Sequence, residues 1–494
     1  MASPPVQPEH ARYGPRRGRA RPGRGGLTVM QDAAPQPAIR AALEPRTDRR
    51  RGSLRSAFRD FGRPPRLMGV DVARGLAVFG MIGVHVGIAT GFEAGNPLTW
   101  TALVEGRSSI LFAVVAGISV ALATGVRVRP TGEALRSARL RMAGRALAVL
   151  AIGLLLELLG SGIAVILPIY GVLFLIVIPF LGLRRRTLVI TAVALALAGP
   201  TLMALVRALA LGGSGAGVDF LIAGSYPLTV WLPLILAGIA VGRSSLGETR
   251  TAAAVGGIGL LLAVGGYGVG SAVNGTPDGW ASMSFSSSSF SSSSSGIVPG
   301  DGLDLTGKSC ITKSPGTVTC FSDTVGGGSG AGDKGFGVPG GNYLERLGAS
   351  DLGAAVSQAW GVSPHSGGTF EIIGSGGFAL AIVGACLLLA RPLRWLLLPV
   401  AAVGSMPLTA YSAHVVSFAV LISPLALAPG LAGFGPEGTS TLFWLACIGT
   451  LLVGCTAWAL ALGRGPLERV TAWASRAVDR PGPAKEDLRD AVVG

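Results

Sequence analysis

Charge is scarce in this chain. Only 14% of its 494 residues are Asp, Glu, Lys or Arg, and only four are His. Soluble domains carry about 25% charged residues, so an ordinary soluble surface is excluded. There is no CxxC pair and no His/Cys cluster with metal-ligand spacing, so no metal is expected. No internal repeat is visible. No secretory signal peptide is expected either, because the first apolar run begins near residue 69 and is long enough to span a bilayer. The place of the missing charge is taken by hydrocarbon. The chain is 49% hydrophobic, with a mean hydropathy of +0.56.

That hydrocarbon is grouped in runs of the length needed to cross about 30 Å of lipid. Ten spans are expected, near 69–91, 107–125, 145–161, 163–183, 187–206, 227–242, 251–273, 371–390, 395–424 and 440–462. The expected fold is therefore all-α, a polytopic transmembrane helix bundle. The connections after spans two, four, six and eight read VRVRPTGEALRSARLRMAGR, LRRRT, GRSSLGETR and RPLR, all rich in Arg. The opposite connections are poor in positive charge; the long one at 274–370 holds seven acids against four bases. Arg and Lys stay cytoplasmic, so both termini are expected on the cytoplasmic side.

The net charge of +15 is concentrated at the start. Residues 1–66 hold fifteen Arg and no Lys against five acids, among many Pro and Gly. Such a segment cannot bury enough apolar surface to offset its ordering entropy, and disorder is expected. It reads as a basic cytoplasmic tail beside anionic headgroups rather than as a nucleic-acid arm. Met30 and Met68 stay open as alternative starts. The organisation that follows is an N-terminal transmembrane bundle at 67–273, a Gly/Ser-rich extracytoplasmic loop at 274–370, further spans at 371–475 and a cytoplasmic tail at 476–494. Within the loop, SMSFSSSSFSSSSSG and GGGSGAGDKGFG are low-complexity. YLERLGASDLGAAVSQAW has the pattern of a short surface helix. Of five Cys, Cys386, Cys447 and Cys455 lie in apolar runs as packing residues. Cys310 and Cys320 flank a polar ITKSPGTVT, and a disulfide between them is left open.

The chemistry is concentrated in GVDVARGLAVFGMIGVHVG, an apolar span holding Asp71, Arg74 and His85. Asp71 and Arg74 are three apart and can pair on one helix face. His85 follows Arg74 by eleven residues, which is three turns and a remainder near 20°, so both point the same way about 16 Å apart. Ionisable groups inside a membrane usually face the bundle interior and have a task. Histidine suits general-base work. A snorkelling pair for Asp71 and Arg74, and a packing role for His85, are the structural alternatives.

RLMGVDVARGLAVFGMIGVHVG resembles the first span of bacterial membrane proteins related to heparan-α-glucosaminide N-acetyltransferase. Its Arg-Gly pair, with a His eleven residues after the Arg, is also similar to the opening helix of the acyltransferase-three family. EGRSSILFAVVAGISVAL looks like the second span of those families. PHSGGTFEIIGSGGFALAIVGACLLLAR, MPLTAYSAHVVSF and GRGPLERVTAWASR resemble the carboxy-terminal half of the YeiB-like branch. The resemblance covers about residues 66–475 without the Ser-rich loop. It implies acyl transfer across the plasma membrane of a bacterium, from cytoplasmic acetyl-CoA or another acyl-CoA to an extracytoplasmic sugar, glycan or small-molecule acceptor. His85 would be the base or a transient acyl carrier, with Arg74 and Asp71 beside it. Arg139, Arg141 and Arg145 would meet the phosphates of coenzyme A, although the positive-inside rule predicts the same cluster. Glu105, Arg107 and Ser108, at the expected outer end of span two, are candidates for the acceptor site, with His365, Tyr411 and His414. In the human-type acetyltransferases the first span has Asn in place of His85 and a His in the next loop. Here GIATGFEAGNPLTWTALVEG has no His, so the role of His85 rests on the acyltransferase-three pattern. A small-metabolite transporter, or a catalytically silent scaffold, is the alternative reading.

Overall fold

The computed structural model describes residues 66–86, 106–125, 129–161, 163–210, 227–274, 308–314, 317–322, 343–348, 352–422 and 439–479, with Phe61, Thr101 and Val104. Glu105, the Ser-rich stretch, the segment 480–494 and most of the basic tail lie outside the described residues.

Within them the chain is helical, with one small hairpin. The helices are α1 (Met68–Val86), α2 (Arg107–Thr124), α3 (Gly132–Glu157), α4 (Leu167–Val177, tightening into Ile178–Gly182), α5 (Arg185–Leu209), α6 (Leu228–Gly242) and α7 (Thr249–Val273). Strands β1 (Lys308–Ser314) and β2 (Thr317–Ser322) follow, then α8 (Tyr343–Gly348), α9 (Leu352–Gln358), α10 (Thr369–Leu389), α11 (Arg394–Ser405), α12 (Pro407–Ser417), α13 (Thr439–Ala461) and α14 (Pro466–Val478).

Each of the ten apolar runs includes a described helix, but among the described residues six helices are long and apolar enough to cross a membrane: α1, α2, α5, α7, α10 and Leu442–Ala461 of α13. A seventh appears if α11 and α12, bent by 75° at their break, form one span. The other runs differ for local reasons. α3 begins at Gly132 and carries Arg136, Arg139, Arg141 and Arg145 into the same helix. Leu167–Gly182 and α6 are short, and the 15 residues of α6 reach only about 22 Å.

α1 and α2 form the centre: 72% of the apolar window of α1 is buried, against 6% in α13. The outer helices expose large apolar residues such as Ile190, Leu202, Leu261 and Val453, as lipid-facing surfaces do. Two crossings depend on glycine. A Cβ on Gly117 would overlap the Ile235 carbonyl oxygen, and one on Gly238 that of Val114, so α2 and α6 meet backbone to backbone. A Cβ on Gly404 would likewise overlap the Asp71 carbonyl oxygen, which brings α11 against α1.

The expected Gly/Ser-rich loop contains two strands, at Lys308–Ser314 and Thr317–Ser322. β1 and β2 are antiparallel, with Cys310 opposite Cys320. Ile311, Thr312, Thr317, Val318 and Thr319 are residue types that favour extended strands. The expected surface helix divides into α8 and α9, and the Tyr343 hydroxyl donates to the Leu209 carbonyl at 2.8 Å.

Candidate active site

Arg74 is held from three sides. Its guanidinium donates to Asp71 Oδ1 at 2.8 Å, to the Gly404 carbonyl at 2.6 Å and to Ser119 Oγ at 3.1 Å. The Gly404 carbonyl is available because α11 ends one residue later and the chain bends at Met406. Asp71 is buried, and its second oxygen accepts from Arg66 Nε at 2.5 Å. Ser119 Oγ donates in turn to its own helix, at the Val115 carbonyl.

Past the break, Pro407 opens α12, and two amides of its first turn need acceptors. Glu468 of α14 supplies them. Its carboxylate accepts from Leu408 N at 2.8 Å, Thr409 N at 3.2 Å and Thr409 Oγ1 at 2.5 Å. A carboxylate is well placed at the positive end of a helix. A cavity of about 220 Å³ lies between these groups, lined by Arg74, Ser119, Arg145, Tyr170, Ser405 and Glu468, among others. Arg145 Nε is buried without a hydrogen-bond partner, and its guanidinium lies 5.8 Å from the centre of the Phe174 ring.

Farther along the same helices, about one turn on α2 and two on α1, is a smaller cavity of about 40 Å³. His85, Ser108, Ser109, Ile166, His365 and Tyr411 are on its wall. His85 Nδ1 is 3.0 Å from His414 Nε2, with the rings nearly parallel at 7°. His414 is buried and its Nδ1 has no partner. The two imidazoles share one hydrogen between those nitrogens. When His85 carries it on Nδ1, its Nε2 is free to act as a base. The Tyr411 hydroxyl accepts from Ile166 N at 3.2 Å. Phe112 and Tyr170 line the larger cavity, Ser108 and Ser109 the smaller. On α2 that is a rise of only about 4.5–6 Å.

His365 is reached through a strained turn, with φ of 62°. Buried Glu371, in the first turn of α10, fastens that turn by accepting from His365 N at 2.6 Å, Gly367 N at 2.7 Å and Ser366 Oγ at 3.1 Å. Desolvation by the surrounding protein pushes the His365 imidazole below the ordinary histidine range.

The expected site residues therefore separate. His85, Ser108, His365 and Tyr411 meet around the smaller cavity, with His414 behind His85. Ser108 Oγ is already committed to the Val104 carbonyl at 2.7 Å. Arg107 lies away from that wall. It is buried and donates to the Tyr267 hydroxyl at 2.8 Å, which contacts Ser375 Oγ at 2.6 Å. The arginines of α3 do not act as one cluster, because 139, 141 and 145 occupy different helix faces. Arg145 faces the larger cavity, Arg139 is exposed, and Arg141 Nε is 3.7 Å from Asp479. Sequence reasoning missed Glu468 and Glu371. Each stands in the first turn of its own helix, where a carboxylate is expected for local reasons.

Residues 66–264 match the family model described as heparan-alpha-glucosaminide N-acetyltransferase, catalytic. Residues 349–477 match a second, described as a protein of unknown function (DUF418). No curated protein and no solved structure matches the chain. The two matches together support a heparan-alpha-glucosaminide N-acetyltransferase-like, YeiB-like membrane protein with an N-acetyltransferase-type function. Both cavities draw on both matched segments: Arg74, Arg145 and His85 come from the first, and Glu468, Tyr411, His365 and His414 from the second.

Proposed function

We propose that the chain is an integral-membrane acyltransferase of a bacterial plasma membrane. It moves an acetyl or other acyl group from a cytoplasmic acyl-CoA to a hydroxyl or amine of an extracytoplasmic sugar, envelope glycan or other small acceptor. Both termini are cytoplasmic, and the ten apolar runs together build the membrane domain. The observation carrying this reading is the stacking of two cavities on shared helices, about one turn apart on α2 and two on α1, with guanidiniums on one and a histidine pair beside the other.

The larger cavity fits the narrow end of an acyl-CoA. At about 220 Å³ it is smaller than the ~300–1,000 Å³ of sites that enclose a drug-sized ligand. It has room for an acyl thioester and part of its arm, with Arg145 toward the arm. The donor supplies an activated carbonyl; the remaining chemistry belongs to the chain. His85 Nε2 removes the proton from the acceptor as the acceptor attacks that carbonyl, and the C–S bond breaks to release the thiolate. The imidazolium formed on His85 donates its Nδ1–H to neutral His414 and is stabilised there. Arg74 and His85 are eleven residues apart on one helix, about 16 Å, so they act at different ends of the path. That separation also admits a two-step course. His85 Nε2 then forms the bond to the carbonyl carbon and the thiolate leaves; the acceptor next attacks the acyl carbon, the C–Nε2 bond breaks, and the freed Nε2 takes the acceptor's proton.

The test is acetyl-CoA-dependent acylation by purified protein reconstituted in liposomes. His85→Ala should abolish it, and His414→Gln should slow it at least tenfold by removing the partner imidazole. A rate unchanged in His85→Ala removes His85 from the mechanism. Recovery of labelled acetyl on His85 from wild-type protein selects the two-step course. One observation favours transport instead: the 75° break between α11 and α12 lies beside the larger cavity, as interrupted helices do in transporters. Solute flux independent of acyl-CoA would decide for that reading.

A further inference from the structure

At one end of the bundle a cavity of about 370 Å³ is lined by three arginines, Arg66, Arg391 and Arg394, and by the acid Glu248. It is formed by the start of α1, the connection before α7 and the end of α10. Each guanidinium is anchored. Arg66 holds Asp71. Arg391 donates to the Gly247 carbonyl, fastening that connection. Arg394 donates to the Phe61 carbonyl at 2.7 Å and lies 4.9 Å from the centre of the Trp395 ring. Thr249, the first residue of α7, is on the wall, so the positive end of that helix adds to the field.

The positive-inside rule accounts for arginines scattered along a connection, as in the exposed Arg184, Arg185 and Arg186. It does not account for three that converge on one cavity. The flank of this cavity is also unusual for an aqueous anion site. Leu388, which lines it, is followed by exposed Leu389, Leu393, Trp395 and Leu396, the last two 54% and 72% exposed. Tryptophan beside arginine, next to an exposed apolar strip, is the composition of a membrane–water boundary.

We propose that this cavity binds an anionic phospholipid. Its phosphate is held by Arg66, Arg391 and Arg394, and its acyl chains run along the Leu388–Leu396 strip. The inference rests on the chain being membrane-embedded and is independent of acyl transfer.

Full-length protein in nanodiscs or mild detergent, titrated with phosphatidylglycerol or phosphatidylcholine and followed by native mass spectrometry, tests it. Phosphatidylglycerol should form a discrete one-lipid adduct, and phosphatidylcholine should not. The double variant Arg391→Ala/Arg394→Ala should bind phosphatidylglycerol about 30-fold more weakly, two guanidiniums having been lost. Arg184→Ala/Arg185→Ala, which removes the same charge elsewhere, should leave binding unchanged. Arg391→Gln/Arg394→Gln serves if the alanine variant fails to fold. Equal binding of the two lipids, equal losses in the control variant, or displacement of the lipid by coenzyme A alone would each overturn the proposal. The last outcome would assign the arginines to a nucleotide phosphate.

Discussion

Glu468→Ala should loosen the start of α12 far more than its own helix. In the native protein this carboxylate receives two backbone amides and one hydroxyl, all from Leu408 and Thr409. Loss of such a cap costs about 0.5–2 kcal/mol, and loss of the charge at a helix N-terminus a further ~0.3–1 kcal/mol. The sum, about 1–3 kcal/mol, predicts a roughly 5- to 140-fold larger opening equilibrium for that turn at about 1.4 kcal/mol per decade. Hydrogen exchange with mass spectrometry on peptides containing Leu408 and Thr409 measures it directly. Glu468→Gln retains an acceptor oxygen and should lie within about tenfold of wild type. α12 carries Tyr411 and His414, so activity should fall with the loss of protection. If protection at Leu408 and Thr409 is unchanged in Glu468→Ala, the carboxylate does not hold this helix and its place beside the cavity is incidental.

Two more expectations concern the fold. Gly238→Val should lower the unfolding midpoint in detergent by the ~1–3 kcal/mol of an overpacked contact, because its Cβ would overlap the Val114 carbonyl; a midpoint equal to wild type would refute the backbone-to-backbone crossing of α2 and α6. The register of Cys310 opposite Cys320 corresponds to a Cα separation of about 4.5–5.5 Å, inside the range a disulfide spans. Protein from an oxidising compartment should therefore be two hydrogens lighter than its reduced form by intact mass; full alkylation of both thiols without reductant would exclude the bond.

Features that depend on neighbours along one helix were readable from the residues. The spacing of Asp71 and Arg74 implies their contact, and the ion pair is present at 2.8 Å, because a helical period places residues three apart on one face wherever the helix sits. The apolar runs are readable for the same reason. Whether each is long enough to span was less so, since a run says nothing of where the helix begins. α3 starts within the arginine-rich connection, and α6 is only 15 residues long.

Contacts between distant residues were not legible. His414 stands 329 residues from His85, and Tyr267 stands 160 from Arg107. No local period joins such pairs. Arg107 has the appearance of a residue at the mouth of a span, yet a buried tyrosine takes its guanidinium. The sequence by itself determined a membrane-embedded helical chain with a charged, histidine-bearing first span, because hydropathy and helical period are local properties. The tertiary structure alone decided which side chains meet. Glycine contacts set how closely α1, α2, α6 and α11 approach, and the break at Met406 turned His414 onto His85 and left Glu468 to hold the freed turn.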